Sequence, residues 1–251
     1  ASSSATVTVL DSVTPTEVCT SANLSLDASG NASLSASDVD GGSSDNCGFA
    51  SLVVSDTAFT CSDIGTTTVT LTGTDPSGNS ASCTATVTIS DNTAPTAVCN
   101  DLTVYLDGSG SASITTGDVD KGSSENSWIA TSAMTVCTIE CSQIGANTVT
   151  LTVTDAGGNS ASCTGTITVV DSVTPTVVCT SASLTLDASG NATLSAADVD
   201  GGSSDNCGFA RLVDSDSAFT CSDIGTTTET LTGTDASGNS ASCTATVTIS
   251  D

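Results

Sequence analysis

Three blocks of eighty residues follow one another in this chain, and that period governs every other reading of it. Asp11-Ser12-Val13-Thr14-Pro15-Thr16, Asp91-Asn92-Thr93-Ala94-Pro95-Thr96 and Asp171-Ser172-Val173-Thr174-Pro175-Thr176 open the blocks. Self-similarity at a fixed spacing marks tandem modules, each a small unit of its own. The first and third blocks differ at ten positions, among them Glu17 against Val177 and Val69 against Glu229, while the middle block has diverged further. The predicted domains are therefore 11–90, 91–170 and 171–250. Residues 1–10 align with 81–90, the last strand of a block. They read as the final strand of a preceding repeat, or as a strand donated to a neighbouring subunit. The first reading makes the chain a segment of a longer array; the second predicts a short precursor.

Inside a block the polarity alternates every second residue, as in half-buried strands. Leu24-Ser25-Leu26, Ala32-Ser33-Leu34, Phe49 to Val54, Thr68 to Thr74 and Thr84 to Ile89 show it, separated by Gly, Asp and Asn turns. Asp75-Pro76-Ser77-Gly78-Asn79 reads as the hairpin turn between the last two strands. No stretch carries helical periodicity. About seven short strands in a unit of this length point to one fold class. It is all-β: tandem immunoglobulin-like β-sandwich domains in a linear array.

Charge sets the functional question. The chain has 251 residues with 28 acids, only Lys121 and Arg211 as cations, and no histidine, for a formal charge of −26. Such a surface excludes nucleic acid and anionic membranes as partners, because phosphate recognition needs clustered Lys and Arg. It also favours an expanded chain unless counter-ions neutralise it. The acids concentrate in Asp38-Val39-Asp40-Gly41-Gly42-Ser43-Ser44-Asp45-Asn46-Cys47, which recurs at 118–127 and 198–207. Sandwich topology puts this loop, the Asp75 turn and the Asp11 linker at one end of a domain, facing the end of the domain before it. Oxygen-rich segments meeting there suit Ca²⁺, which takes six to eight oxygens. The expected ligands are Asp11, Asp38, Asp40, Asp45, Asp75 and Asn79 in the first block. Asp91, Asp118, Asp120, Glu125, Asp155 and Asn159 correspond in the second, and Asp171, Asp198, Asp200, Asp205, Asp235 and Asn239 in the third. The spacing is not that of an EF-hand. The bland alternative is that Asp, Asn, Gly and Ser simply make good turns.

Twelve cysteines, with no metal-binding CxxC pairs, indicate disulfides and an oxidising compartment. Cys19, Cys61 and Cys83 have counterparts Cys99, Cys141 and Cys163, but Ser127 replaces the counterpart of Cys47, and Cys137 is new. The simplest pairing is Cys19–Cys83, Cys99–Cys163 and Cys179–Cys243 in every block. Cys47–Cys61 and Cys207–Cys221 then close the outer blocks, and Cys137–Cys141 the middle one. Chain entropy assigns about 4 kcal/mol to the long loops, about 3 to Cys47–Cys61 and about 2 to the short one. Trp128 and Ile129 are expected to fill the space of the missing bridge. Without histidine there is no Ser-His-Asp or Cys-His catalytic set. A carboxylate pair such as Asp38 and Asp40 lacks the aromatic cleft that a glycosidase needs. No apolar run approaches the roughly 20 residues of a membrane span. The chain reads as a non-enzyme with no direct membrane insertion, extracellular and at a cell surface.

One further likeness rests on the motifs together. Asp-x-x-x-Pro-Thr-x-Val-Cys is followed by Leu-Asp-x-x-Gly, Asp-Val-Asp-x-Gly-Ser-Ser, Cys-Ser-x-Ile-Gly and Val-Thr-Leu-Thr-x-Thr-Asp-x-x-Gly-Asn-x-x-x-Cys-Thr. Over residues 11–250 this resembles the hyalin-type (HYR-like) repeat, as in the SprB-type giant surface and gliding adhesins of Bacteroidota. The resemblance implies immunoglobulin-like domains, secretion and a filament used for attachment or gliding. Glycans on Asp-Ser/Thr sites such as Asp11-Ser12-Val13 are also implied. The function expected is a calcium-stiffened structural segment of such a filament. Its partners are neighbouring repeats of the same chain or identical subunits, with surface glycans met only at a distant tip. Two alternatives stand beside it: a pilus-like fibre subunit using strand donation, and a glycan- or ice-binding module.

Overall fold

A computed structural model describes residues 3–251. The first block folds as β1 (Ala22–Ser25), β2 (Asn31–Ser33), a one-turn helix α1 (Ala36–Val39), β3 (Ser51–Val54), β4 (Ala58–Thr60), β5 (Gly65–Thr74) and β6 (Ser80–Ser90). The same elements return eighty residues on. They are β7 (Leu102–Tyr105), β8 (Ser111–Ser113), α2 (Thr116–Val119), β9 (Ile129–Met134), β10 (Thr138–Glu140), β11 (Gly145–Asp155) and β12 (Ser160–Val170). The third set is β13 (Ala182–Thr185), β14 (Asn191–Thr193), α3 (Ala196–Val199), β15 (Phe209–Val213), β16 (Ala218–Thr220), β17 (Gly225–Asp235) and β18 (Ser240–Ser250).

Each set is an immunoglobulin-like sandwich. In the first, a four-stranded sheet of order β1-β6-β5-β3 accompanies the pair β2-β4, and in the third β13-β18-β17-β15 accompanies β14-β16. β1 runs parallel to β6, Ala22 facing Val87, while β5 and β6 are antiparallel, Leu71 facing Cys83. In the middle set β7 runs parallel to β12, and β8 pairs with β10. Alternation does the sorting. Along β6 the residues Ala85, Val87 and Ile89 are buried and the threonines between them exposed. They pack with Leu26, Leu34, Val39, Phe59, Val69 and Leu71 in one core. Leu186, Leu194, Val199, Phe219, Leu231, Val247 and Ile249 form its counterpart. The Asp75–Asn79 turn forms with Gly78 at φ +93°, a conformation that favours glycine.

Close contacts divide the chain into two compact units. One holds the first sandwich with Gly122–Ala133 and Leu151–Cys163; the other holds Cys99–Lys121, Met134–Thr150 and Thr164–Asp251. The division runs through the middle block.

Three expectations need correction. A helical turn forms at Ala36–Val39, because Asp38 accepts from the Ser35 backbone N–H at 2.7 Å and from its hydroxyl at 2.6 Å, closing a capping box. Residues 3–10 form no strand here, and Val7, Val9 and Leu10 stand exposed; the first two residues of that predicted strand lie outside the described residues. Trp128 fills no core space, since 48% of it is exposed.

Candidate metal centres

Three carboxylates meet at the start of each block: Asp11, Asp45 and Asp75; Asp91, Glu125 and Asp155; Asp171, Asp205 and Asp235. In every trio one oxygen of each residue lies within 4.8 Å of the others. Each trio falls within a single compact unit. The first member comes from the linker, the second from the acidic loop and the third from the end of the long strand β5, β11 or β17.

Local hydrogen bonds fix how these acids point. Asp11 Oδ1 accepts from the Val13 N–H at 3.0 Å, and Asp45 Oδ2 accepts from the Cys47 N–H at 2.8 Å. The pattern repeats at Asp91 with Thr93, at Glu125 with Asn126, at Asp171 with Val173 and at Asp205 with Cys207. One oxygen of each is thus held by the backbone, and the other is turned inward. The inward oxygens Asp11 Oδ2, Asp45 Oδ1, Asp91 Oδ2, Glu125 Oε2, Asp171 Oδ2 and Asp205 Oδ1 are all buried with no hydrogen-bond partner. Asp91 and Asp171 are only 3% exposed, and their third partners Asp155 and Asp235 only 3% and 2%.

Charge arithmetic makes this arrangement unfavourable on its own. Like charges this close repel, and each trio has three such pairs. An acceptor turned from solvent without a partner adds to that cost. The donor set is all oxygen and hard, which fits Ca²⁺ or Mg²⁺ and excludes soft-metal preferences.

Asn79 ties two members of the first trio together through its nitrogens. Its amide nitrogen donates to the Asp11 carbonyl at 3.0 Å and to Asp75 Oδ2 at 2.7 Å, while its backbone N–H donates to Asp75 Oδ1 at 2.8 Å. Asn159 grips the Asp91 carbonyl and Asp155 in the same way, as Asn239 grips Asp171 and Asp235. The amide nitrogens of the asparagines thus hold two members of each trio in place. Burial raises Asp75, but the bonds from Asn79, Ser77 and Gly78 outweigh it and hold the carboxyl below its ordinary value. Asp11 is lowered too, mainly by the Val13 N–H and then by the Cys47 and Asn46 side chains. The Cys47 thiol is in turn pushed up, first by its bond to Asp11, then by burial and the charges of Asp11, Asp45 and Asp75.

Other predicted ligands lie outside the trios. Asp38, Asp118 and Asp198 cap the helical turns through Ser35, Thr115 and Ser195. Asp40 accepts from the Gly42 and Ser43 N–H groups, Asp200 does the same with Gly202 and Ser203, and Asp120 bridges to Cys99. The first five shape turns through these side-chain bonds, and none of the six belongs to a trio, so their assignment as ligands is corrected. Reasoning from sequence missed Asn126 and Asn206, whose amide oxygens are buried without partners beside Glu125 and Asp205. Their amide nitrogens donate to the carbonyls of Asp27 at 2.8 Å and Asp107 at 3.0 Å in the preceding block. The signal available was an Asn following the loop acid in all three blocks.

The cysteines correct the pairing more sharply. Cys19–Cys83 and Cys179–Cys243 close within their blocks. Cys99 and Cys163 are also in disulfides. Cys141, however, bonds Cys207 of the next block, 66 residues on, with Cα atoms 5.4 Å apart. Cys47, Cys61, Cys137 and Cys221 are free thiols. Cys137 cannot reach Cys141, since β10 runs extended between them and sets their Cα atoms about 13 Å apart, beyond the limit near 7 Å. Cys47 lies beside Asp11, whereas Cys61 lies against the carbonyls of Gly30 at 3.5 Å and Asn126 at 3.6 Å. Counting the same 66 residues from Cys61 arrives at Ser127, which offers no sulfur.

Fold and site together define a tandem β-sandwich protein with an acid trio at the start of each block and, in the second and third blocks, a loop docked on the block before. The chain belongs to the HYR domain family, whose model matches residues 10–89 and 170–249. A search of the curated proteins found no match. Among solved structures it is similar to protocadherin gamma B7 extracellular cadherin domains 1–4, at 14% identity and a TM-score of 0.33, covering 76% of this chain. The chain spans 59% of that structure's length. A three-Ig structure of titin aligns with 94% of this chain and 99% of its own length, at 13% identity and a TM-score of 0.35. Likenesses at this level carry no argument about ligand or partner.

Proposed function

We propose that the chain is a calcium-stiffened segment of an extracellular filament of the adhesive kind, with each eighty-residue block as its domain. One observation carries this: at three boundaries, linker and loop acids each aim a buried, unpartnered oxygen at the same point. Asp11, Asp45 and Asp75 would hold one Ca²⁺, and the other two trios would hold one each. A bound divalent ion supplies positive charge that turns three-way repulsion into shared coordination. Because linker and sandwich both contribute, coordination would fix the angle between successive blocks. Oxidised cysteine pairs support an extracellular setting. No helix among the described residues is long and apolar enough to cross a membrane. Without histidine the sequence has no Ser-His-Asp or Cys-His set, which supports a structural role.

Strand donation stands as a second reading because residues 3–10 are unpaired and expose Val7, Val9 and Leu10. Calorimetry tests the first reading. Calcium at a hundred times its dissociation constant should stabilise each site by about 2.7 kcal/mol, and titration should approach three ions per chain. An unchanged melting temperature between calcium and chelator would leave the acids as turn-formers and end the proposal.

A further inference from the structure

We propose, resting on the calcium reading above, that Asn126 joins the second trio as a ligand through its amide oxygen. A cation held there would then also tighten the hold of this block on the one before it. Asn126, Asp27, Cys61 and the acids Asp91, Glu125 and Asp155 all fall within one compact unit.

Only one end of the Asn126 amide is satisfied. Its nitrogen donates to the Asp27 carbonyl of the preceding block at 2.8 Å. Its oxygen is buried with no partner, as are Asp91 Oδ2 and Glu125 Oε2. The orientation is fixed, because the amide turned over would set its oxygen against the Asp27 carbonyl oxygen. The backbone N–H of Asn126 donates to Glu125 Oε1 at 2.6 Å and so ties this residue to a trio acid. Asp91, at 3% exposure, brings an orphaned oxygen on a side chain more than nine-tenths buried. One block later the arrangement returns with its amide in direct contact with a trio acid. The Asn206 nitrogen donates to the Asp107 carbonyl at 3.0 Å and to Asp171 Oδ1 at 3.1 Å, and its oxygen is again unpartnered.

A neutral oxygen suits this place. Ca²⁺ takes six to eight oxygens and accepts amide carbonyls among them. Three carboxylates already supply the negative charge; a fourth would add repulsion, whereas an amide adds an oxygen without charge. Coordination through the oxygen draws electron density from the amide and makes its N–H a stronger donor to Asp27. The coupling is reciprocal: a docked loop favours the ion by the same factor as the ion favours docking. The second joint is where this can be seen, since Cys61 is a free thiol there, whereas Cys141–Cys207 locks the third. Cys61 also serves as reporter. It is half-buried, with Sγ 3.6 Å from the Asn126 backbone carbonyl oxygen and 3.5 Å from that of Gly30.

Alkylation of Cys61 by iodoacetamide in the whole oxidised chain, scored by peptide mass, reads the docked loop. Saturating calcium chloride should slow it at least about fivefold relative to chelator, while the exposed Cys137 labels at one rate throughout. Titration calorimetry gives the second readout. Asn126→Ala should weaken calcium about fivefold or more at one of the three sites. Asn126→Asp keeps an oxygen and loses the donor, so it should bind calcium at least as tightly as the unaltered chain yet lose the protection of Cys61. No calcium uptake by the unaltered chain would end both the calcium reading and this inference. Three ions bound, with Cys61 labelling at one rate in calcium and in chelator, would overturn this inference alone. Asn126→Asp binding as weakly as Asn126→Ala would overturn it too. The Cys61 rate is read on the unaltered chain, so a variant that misfolds does not blunt the test.

Discussion

The Cys61 joint and the Cys141 joint have the same geometry with and without a covalent bond. Cys61 lies 3.6 Å from the Asn126 carbonyl oxygen, and Cys141 lies 3.5 Å from that of Asn206. Each sulfur also touches the carbonyl of a glycine at φ near +75°, Gly30 or Gly110. Yet only the second pair is bonded, because Ser127 stands where Cys207 stands one block later. The loop therefore docks through its backbone and the Asn amide, and the disulfide locks a contact that forms without it. One joint has been left reversible.

The largest break in that comparison is Cys141→Ser. It opens a covalent loop of 66 residues and should cost about 4 kcal/mol, read as a lower urea midpoint. Cys61→Ser, which removes no bond, should stay within about 0.5 kcal/mol. Equal losses from the two would mean that the bridge adds nothing. The converse, Ser127→Cys, should close the first joint, leaving one titratable thiol fewer than the parent and adding about 4 kcal/mol. It also replaces a buried hydroxyl that has no partner. One titratable thiol more than the parent would show that the open joint lacks bonding geometry. Next comes Gly30→Ala. A Cβ there would sit 2.5 Å from Cys61 Sγ and 2.6 Å from the Asn126 carbonyl oxygen, at a φ of +75°. A loss of about 2 kcal/mol is expected, against about 1 for Gly42→Ala, which shares the left-handed backbone but meets nothing within 4 Å.

The smallest effect is with acid. Asp11, Asp38 and Asp40 all have carboxyls held below the ordinary value: Asp11 chiefly by the Val13 N–H, Asp38 by the Ser35 hydroxyl and Asp40 by the Ser43 N–H. A lowered folded value means that the stabilisation is present above the unfolded value near 3.9 and fades as pH falls through the folded one. In chelator, the melting temperature should hold down to about pH 5 and fall below about pH 4. A fall centred near neutrality would point away from these acids.

Much of the fold was legible because its causes are local. Alternation from Thr84 to Ile89 and the turn at Asp75–Asn79 need only the sequence around them. Asp11, Asp45 and Asp75 lie far apart in the chain, and sandwich topology alone placed them at one end. The same reasoning over-counted at Asp38 and Asp40. Composition gives no sign whether a carboxylate faces a shared centre or its own backbone, yet Ser35-Ala36-Ser37-Asp38 was a readable cap. The Cys141–Cys207 bond escaped because cysteines were matched within blocks. The clue was that the middle block lacks a cysteine at 127 and still keeps Cys141, which makes sense only if Cys141 looks forward to 207. Glu17 and Glu229 set acids into positions held by Val177 and Val69, and no motif announced how each is accommodated.

The asparagine at the end of each hairpin has a mechanical consequence. Asn79 ties the linker carbonyl of Asp11 to Asp75 through an uncharged amide. Tension along the chain would thus reach the sandwich through that amide as well as through any ion. Stripped of metal, the linker would gain slack without coming adrift, and reloading would begin from a coupling already half engaged.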